Sequence, residues 1–472
     1  MIKKLYTAGV LFFLCILAAC GQATQVNSDI SGAWEGSISL TGIMLDINVD
    51  ITVDDTGSYS ASIDIPVQGA SGLELVNVFV RGDSVEFVLP SNLGEASFAG
   101  RIDGDLISGV VSQGGVDGDF ELRRGSEHTS EHTMEEIHYT AIEVTITGED
   151  VSLAGTLTIP EGAGPFPAVI LLTGSGIQDR DESVMGFRVF GELADHLTRS
   201  DIAVLRCDDR GFGGSIGEID HLTDSVFACD ASLMLDYMLG QPDIDPDRIG
   251  ILGHSEGSTV AFITADWKPE DVAFIVSMAG PSISGYDVLL GQIEMLCRQA
   301  GLTEAEIARN VEAQKTIMDI ILAGDDHSGL DEMFRTETVA SLEDLSEEEL
   351  AALGDIDVYV DYVVAQSISQ VESDWFLNFL QHDPAVEISV VSCPVLALYG
   401  SLDIQVPPER NLESMQMALS ENPLALVMVI DGANHLFQAS VDGMIEEYAA
   451  LEPELTDGFE STVSDWILDV TR

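Results

Sequence analysis

Two hydrophobic rhythms divide the chain. From about residue 28 to 124, apolar and polar positions alternate in short runs: MLDINVDITV, SYSASIDIPV, LVNVFVRG, SVEFVLP, ASFAGRI and LISGVVS. A period of two marks a strand with one buried face, and the turn residues DDTG, RGD, DGD and GGVDGD separate the runs. The spacing predicts an all-β unit over 28–125, a small barrel or a sandwich. GAWEGSI, residues 32–38, opens it as small meander barrels open. No catalytic cluster stands out there, so the unit reads as a spacer or packing module.

From Ile137 the rhythm changes. AIEVTITG and LAGTLTIP read as a strand pair. The runs AVILLTG, AVLRCDD, RIGILGHS, VAFIVSMAG, PVLALYG and LVMVID then alternate with the helical stretches FRVFGELADHLTRS, DSVFACDASLMLDYML and GSTVAFITADW. GFESTVSDWILDVTR reads as the last helix. Strand and helix in this order predict a mostly parallel sheet covered on both faces, an α/β unit over 137–472. One interval, 282–388, holds helices and no clear strand, with capping-box spacings at Thr303 and Glu306 and at Ser346 and Glu349. A helical insertion between two sheet strands predicts a cap over the edge where open α/β sheets bind ligands.

Between the two units lies the polar tandem SEHTSEHTMEE, a linker over 126–136. It contains His128, Glu131 and His132 at the inverted zincin spacing. A zinc site needs a third ligand and an apolar backing, and neither is visible, so no metal is expected. No organic cofactor is expected either.

Charge and the first residues add a setting. Acidic residues number 81 against 19 basic ones, for a net charge of −62. Such a surface repels phosphate backbones and anionic headgroups, which argues against nucleic-acid partners. It also suits a cation-rich habitat, where screening quiets self-repulsion. Lys3 and Lys4 precede the apolar run AGVLFFLCILAA, a charged region followed by a core of signal-peptide length. The run is short of the roughly 20 residues that span a membrane. It closes in LAAC, residues 17–20, which resembles a bacterial lipoprotein box. Removal of residues 1–19 and lipidation at Cys20 are therefore expected, giving an exported protein anchored to the cell envelope. An ordinary secretion signal with a chance cysteine is the alternative. Cys207, Cys229, Cys297 and Cys393 are scattered without metal spacing and read as small hydrophobes, with Cys207–Cys229 the pair to test for a disulfide.

The chemistry starts at Gly253-His254-Ser255-Glu256-Gly257, where an apolar strand meets a helix. The pattern fits the nucleophile elbow G-x-S-x-G, in which a serine sits on a strained turn and flanking glycines avoid backbone collisions. Serine needs a base, and the base needs an orienting acid, in the chain order Ser, then Asp or Glu, then His. His435 in DGANH follows the last strand and Asp403 in YGSLDIQVP follows the strand before it. His221 and His382 fail the order. The oxyanion donors should be the backbone N–H of Glu256 and that of Ser175 in TGSG, with Gly176 its neighbour. The Glu256 side chain is expected as a carboxylate favoured by the helix N-terminus. Arg210, paired with Asp208 or Asp209, reads as a loop clamp, as does QDRDES. Trp375, Phe376 and Phe379 line an acyl pocket or pack the cap core.

Five stretches, LLTGSGIQDRDES, IAVLRCDDRGFGGSIG, IGILGHSEGS, DWFLNFLQHDP and CPVLALYGSLDIQVPPERN, together resemble exported bacterial α/β-hydrolases of the carboxylesterase type. These are similar in turn to dienelactone-hydrolase-like and serine-aminopeptidase-like sequences. The resemblance covers about 137–472. It implies an α/β-hydrolase fold with Ser255, Asp403 and His435 as triad and the TGSG turn in the oxyanion loop. Cleavage of a small-molecule carboxylic ester through an acyl-enzyme is the leading expectation. A peptidase or amidase of the serine aminopeptidase type and a non-catalytic ligand-binding lipoprotein are the alternatives.

Overall fold

A computed structural model describes residues 30–40, 43–53, 59–65, 70–81, 84–89, 96–104, 106–113, 116–124, 139–299, 301–324, 328–342 and 356–472. The leader with Cys20, the linker with His128, Glu131 and His132, and the Ser346–Glu349 spacing lie outside the described residues.

The period-two segments form eight antiparallel strands closed into a barrel, from Gly32–Leu40 to Val116–Arg124. Each strand pairs with the next, and the first pairs with the last from Trp34↔Arg124 to Leu40↔Gly118. Closure removes the exposed sheet edges that invite aggregation. The inward side chains fill the interior: Phe87 stacks on Phe98 at 4.8 Å, and Phe120 meets Phe98 edge-on at 5.2 Å. Trp34 is fully buried, and its indole N–H donates to the Ile30 carbonyl at 2.8 Å. The Arg124 guanidinium lies over its ring, 4.5 Å from the centroid, so a cation–π contact joins first and last strands.

The second rhythm gives a nine-stranded sheet. From Ala203–Cys207 through Phe166–Leu172, Ile244–His254, Ile275–Met278, Val395–Gly400 and Ala425–Ile430 the neighbours are parallel. Val151–Pro160 and its hairpin partner Tyr139–Thr147 run antiparallel at the other end. The central runs are apolar throughout because both faces are covered. Ala168 and Ile170 enter one core and Val169 and Leu171 the other, and Val395 and Ala397 likewise part from Leu396 and Leu398.

Between Ile275–Met278 and Val395–Gly400 the chain leaves the sheet. The described residues there form the helices Gly285–Gln299, Glu304–Ala323, Ser328–Leu342, Ile356–Val371, Asp374–Gln381 and Ala385–Val390. They bury a core of their own around Met318, Ile321, Leu330 and Leu380. The Glu306 carboxylate accepts the Thr303 N–H at 2.7 Å, so that capping box forms as its spacing predicts. Among the described residues no helix is long and apolar enough to cross a membrane.

Candidate active site

The strand Ile244–His254 ends in the turn that its glycines require. Ser255 sits at φ 51° and ψ −118°, a region that L-residues rarely adopt, and caps the helix Glu256–Trp267. A Cβ on Gly253 would lie 2.1 Å from the Gly257 carbonyl oxygen, and one on Gly257 would lie 2.2 Å from that of Leu172. The backbone passes too close on both sides for any side chain. Ser258 adds a brace, donating its hydroxyl to the Gly253 carbonyl at 2.6 Å.

Two later loops reach the same place. After Val395–Gly400, Asp403 turns inward at 1% exposure; its Oδ1 accepts the N–H groups of Gln405 at 2.8 Å and Val406 at 2.9 Å. Its Oδ2 lies 2.8 Å from Nδ1 of His435, which is also buried and follows the strand Ala425–Ile430. An anionic acceptor assigns the imidazole proton to Nδ1 and leaves Nε2 as the basic nitrogen. Ser255 and His435 line one cavity of about 620 Å³. Among the described residues, the Ser255 hydroxyl makes no hydrogen bond with His435.

The TGSG turn lines that cavity through Gly174, Ser175 and Gly176, the last at φ 95°. Among the described residues neither the Ser175 nor the Glu256 N–H has a hydrogen-bond partner. The turn is braced from the loop after Ala203–Cys207. Asp209 Oδ2 accepts the Thr173 hydroxyl and the Gln178 N–H, each at 2.8 Å. Burial nevertheless pushes the Asp209 carboxyl up to about 8.

The expected Arg210 clamp exists with a different partner. Arg210 grips Asp230 on the helix Asp224–Leu239 through two 2.7 Å bonds, while Asp208 takes Arg180 of QDRDES. Asp208 accepts from Arg180 through both carboxylate oxygens, at 2.9 Å each, because strand order sets the two loops side by side.

The Glu256 side chain also departs from expectation. It turns into the cavity wall, where burial first, and then the charge and hydrogen bond of Asp224, hold its carboxyl well above the usual range. Its surroundings disfavour the charged form that a helix N-terminus alone would favour. Its Oε1 accepts the Trp375 indole N–H at 2.8 Å, and Asp224 Oδ2 accepts from Asn378 at 2.6 Å. Trp375 and Asn378 both belong to the cap helix Asp374–Gln381, so two acids below fasten that helix above. Trp375, Phe376 and Phe379 all line the cavity, and Trp375 stacks on Phe379 at 5.6 Å. The two histidines that fail the chain order are engaged by other acids: His221 pairs with Asp374 at 2.6 Å in solvent, and His382, at the cavity wall, faces Glu387 at 3.3 Å.

Cys207 and Cys229 are both free thiols, the first buried and the second exposed. Burial pushes the Cys207 thiol up to about 12, so it is an inert packing group. Among the described residues no three His, Cys, Asp or Glu side chains gather as metal ligands.

Sequence reading passed over Glu182. It is the last acid of QDRDES, 1% exposed, and its Oε1 accepts the Gly174 N–H at 2.7 Å. The only local signal was an acid within a few residues of the TGSG turn.

A family model described as serine aminopeptidase, S33, matches residues 186–437, an interval that contains Ser255, Asp403 and His435. Esterase EstD of Thermotoga maritima is 26% identical over 294 residues, and the alignment covers 62% of this chain. The chain spans 59% of the length of that relative. A Pyrococcus furiosus esterase aligns over 72% of this chain and 94% of its own, at 15% identity and a TM-score of 0.45. A dienelactone hydrolase from Anabaena variabilis aligns over 71% of this chain and 100% of its own, at 16% identity and a TM-score of 0.37.

Proposed function

We propose that this chain, which belongs to the serine aminopeptidase S33 family of α/β-hydrolases, cleaves carboxylic esters through an acyl-enzyme on Ser255. The observation that carries the reading is the buried Asp403–His435 pair at 2.8 Å, opening on the cavity that Ser255 lines. Nε2 of His435 takes the Ser255 proton as Oγ attacks the ester carbonyl carbon. Asp403 holds the tautomer and stabilises the imidazolium. The oxyanion forms against the N–H groups of Ser175 and Glu256. Collapse breaks the carbon–oxygen bond to the alcohol, which leaves with the proton from His435. Water then repeats the attack on the acyl-enzyme, giving up a proton to His435; as the acyl–Oγ bond breaks, His435 passes that proton to Ser255 Oγ and the acid departs. The hydrogen bond from Ser255 to His435 closes as substrate fills the cavity, since such contacts tighten in the Michaelis complex.

The likeness to Esterase EstD supports the ester preference. The family description favours a second reading, an aminopeptidase. Purified protein should turn over p-nitrophenyl acetate and butyrate faster than aminoacyl anilides; the reverse order would select the second reading. A fluorophosphonate should label the wild type and spare Ser255→Ala, whose kcat should fall on the order of 10⁵-fold or more. An unlabelled wild type would leave a binding protein. The LAAC box supports export and a lipid anchor at Cys20.

A further inference from the structure

A second carboxylate–imidazole pair lies beside the first. His254 precedes the nucleophile in the elbow and is 2% exposed. Its Nδ1 is 2.7 Å from Oε1 of Glu182, the same oxygen that accepts the Gly174 N–H. Its Nε2 is 3.0 Å from the backbone carbonyl of His435. A carbonyl oxygen only accepts, so Nε2 carries a proton. The two imidazole rings are 4.7 Å apart. Burial opposes a charge on His254, but the Glu182 carboxylate outweighs it and raises the imidazole above its ordinary value. A proton on Nδ1 as well lets the ring donate at both nitrogens, to Glu182 and to the His435 carbonyl.

The fit is tight. Glu182 sits at φ 50°, a conformation that an L-residue holds only when its surroundings impose it. A Cβ on Gly174 would lie 3.1 Å from Glu182 Oε1 and 3.4 Å from both His254 Nδ1 and the Ser255 Cβ. One carboxylate oxygen thus meets the residue before the Ser175 donor and the residue before the nucleophile. Through His254 it also reaches the main chain of the base. These segments are 80 and more residues apart along the chain.

We propose that Glu182 and His254 are positioning residues that hold the oxyanion donor of Ser175 in register with Nε2 of His435. The inference rests on the serine-hydrolase reading above. Neither residue touches the reacting atoms; each acts through a neighbour. A small displacement of a donor or base weakens only contacts made in the transition state, so the cost falls on kcat.

Glu182→Gln is the direct test. Both contacts converge on Oε1, and a carboxamide brings an N–H group and no charge to a place where one oxygen serves the Gly174 N–H and the His254 ring. Its kcat for p-nitrophenyl butyrate should fall about 10- to 100-fold with KM within about 3-fold. Phosphonylation by a fluorophosphonate should slow by the same factor, at unchanged circular dichroism. His254→Gln keeps an N–H for the His435 carbonyl and loses the Glu182 partner, so its loss should be smaller; it becomes the deciding variant if Glu182→Gln does not fold. Wild-type kcat in the folded variant, or a change in KM alone, would overturn the positioning role while a labelled wild type upholds the hydrolase. An unlabelled wild type would overturn both.

Discussion

At Gly257 the elbow leaves no room for one extra carbon, because the added Cβ would enter the Leu172 and Thr173 carbonyls at 2.2 and 2.4 Å. Both contacts are backbone, so nothing flexible can yield. Gly257→Ala should cost about 3 kcal/mol of stability, read by denaturant unfolding, and should reduce turnover in whatever fraction folds. The glycines, Ser255, Asp403 and His435 were legible in the sequence because elbow spacing and chain order are local or ordinal signals. The partner of Arg210, the burial of Glu256 and the reach of Glu182 were not. Each depends on which loops the strand order makes neighbours, and Arg180 meets Asp208 only because Ala203–Cys207 lies beside Phe166–Leu172. Composition worked against them too: among 81 acids, no single one stands out before it is buried.

At the scale of elements, two attachments govern the site. The cap helix Asp374–Gln381 is held by the Trp375 indole on Glu256. Trp375→Phe keeps a ring in the cavity and deletes the N–H donor. It should cost about 1 kcal/mol and raise KM more than it lowers kcat, because the contact precedes chemistry. The second attachment is the brace of the oxyanion turn by Asp209, with its carboxyl raised to about 8 by burial. The fold therefore favours the protonated form. The Asp209 contribution to stability is complete below the unfolded value of about 3.9 and is lost as pH rises through about 8. Asp209→Asn, which carries no proton to lose, should flatten the decline of Tm between pH 5 and 8; an unchanged slope would place the titration elsewhere. The helical interval and the sheet were legible as rhythms. How the cap fastens to the elbow was not, since Trp375 and Glu256 are 119 positions apart.

Over the whole molecule, like charges crowd. Burial first, then Glu460 and Glu454, push the Glu192 carboxyl up to about 7. With a net charge of −62 the folded surface repels itself more than the expanded chain does. Added salt screens that repulsion over about 10 Å at 0.1 M and about 3 Å at 1 M. The Tm should climb from low salt into molar NaCl, and a flat curve would remove the cation-rich habitat as an explanation of the composition.

The barrel has a consequence for how such a protein is assembled. Its first and last strands lie side by side, with Trp34 opposite Arg124. The chain therefore comes back to where it set out, and the module hangs from the polypeptide as a closed detour instead of a segment of its length. Excising residues 32–124 splices points already adjacent in space, so the reach from whatever precedes the barrel to the catalytic unit is set by the stretches flanking the detour. Lengthening or shortening those stretches, rather than rebuilding the barrel, is how this architecture would change the spacing between what comes before the barrel and what comes after it.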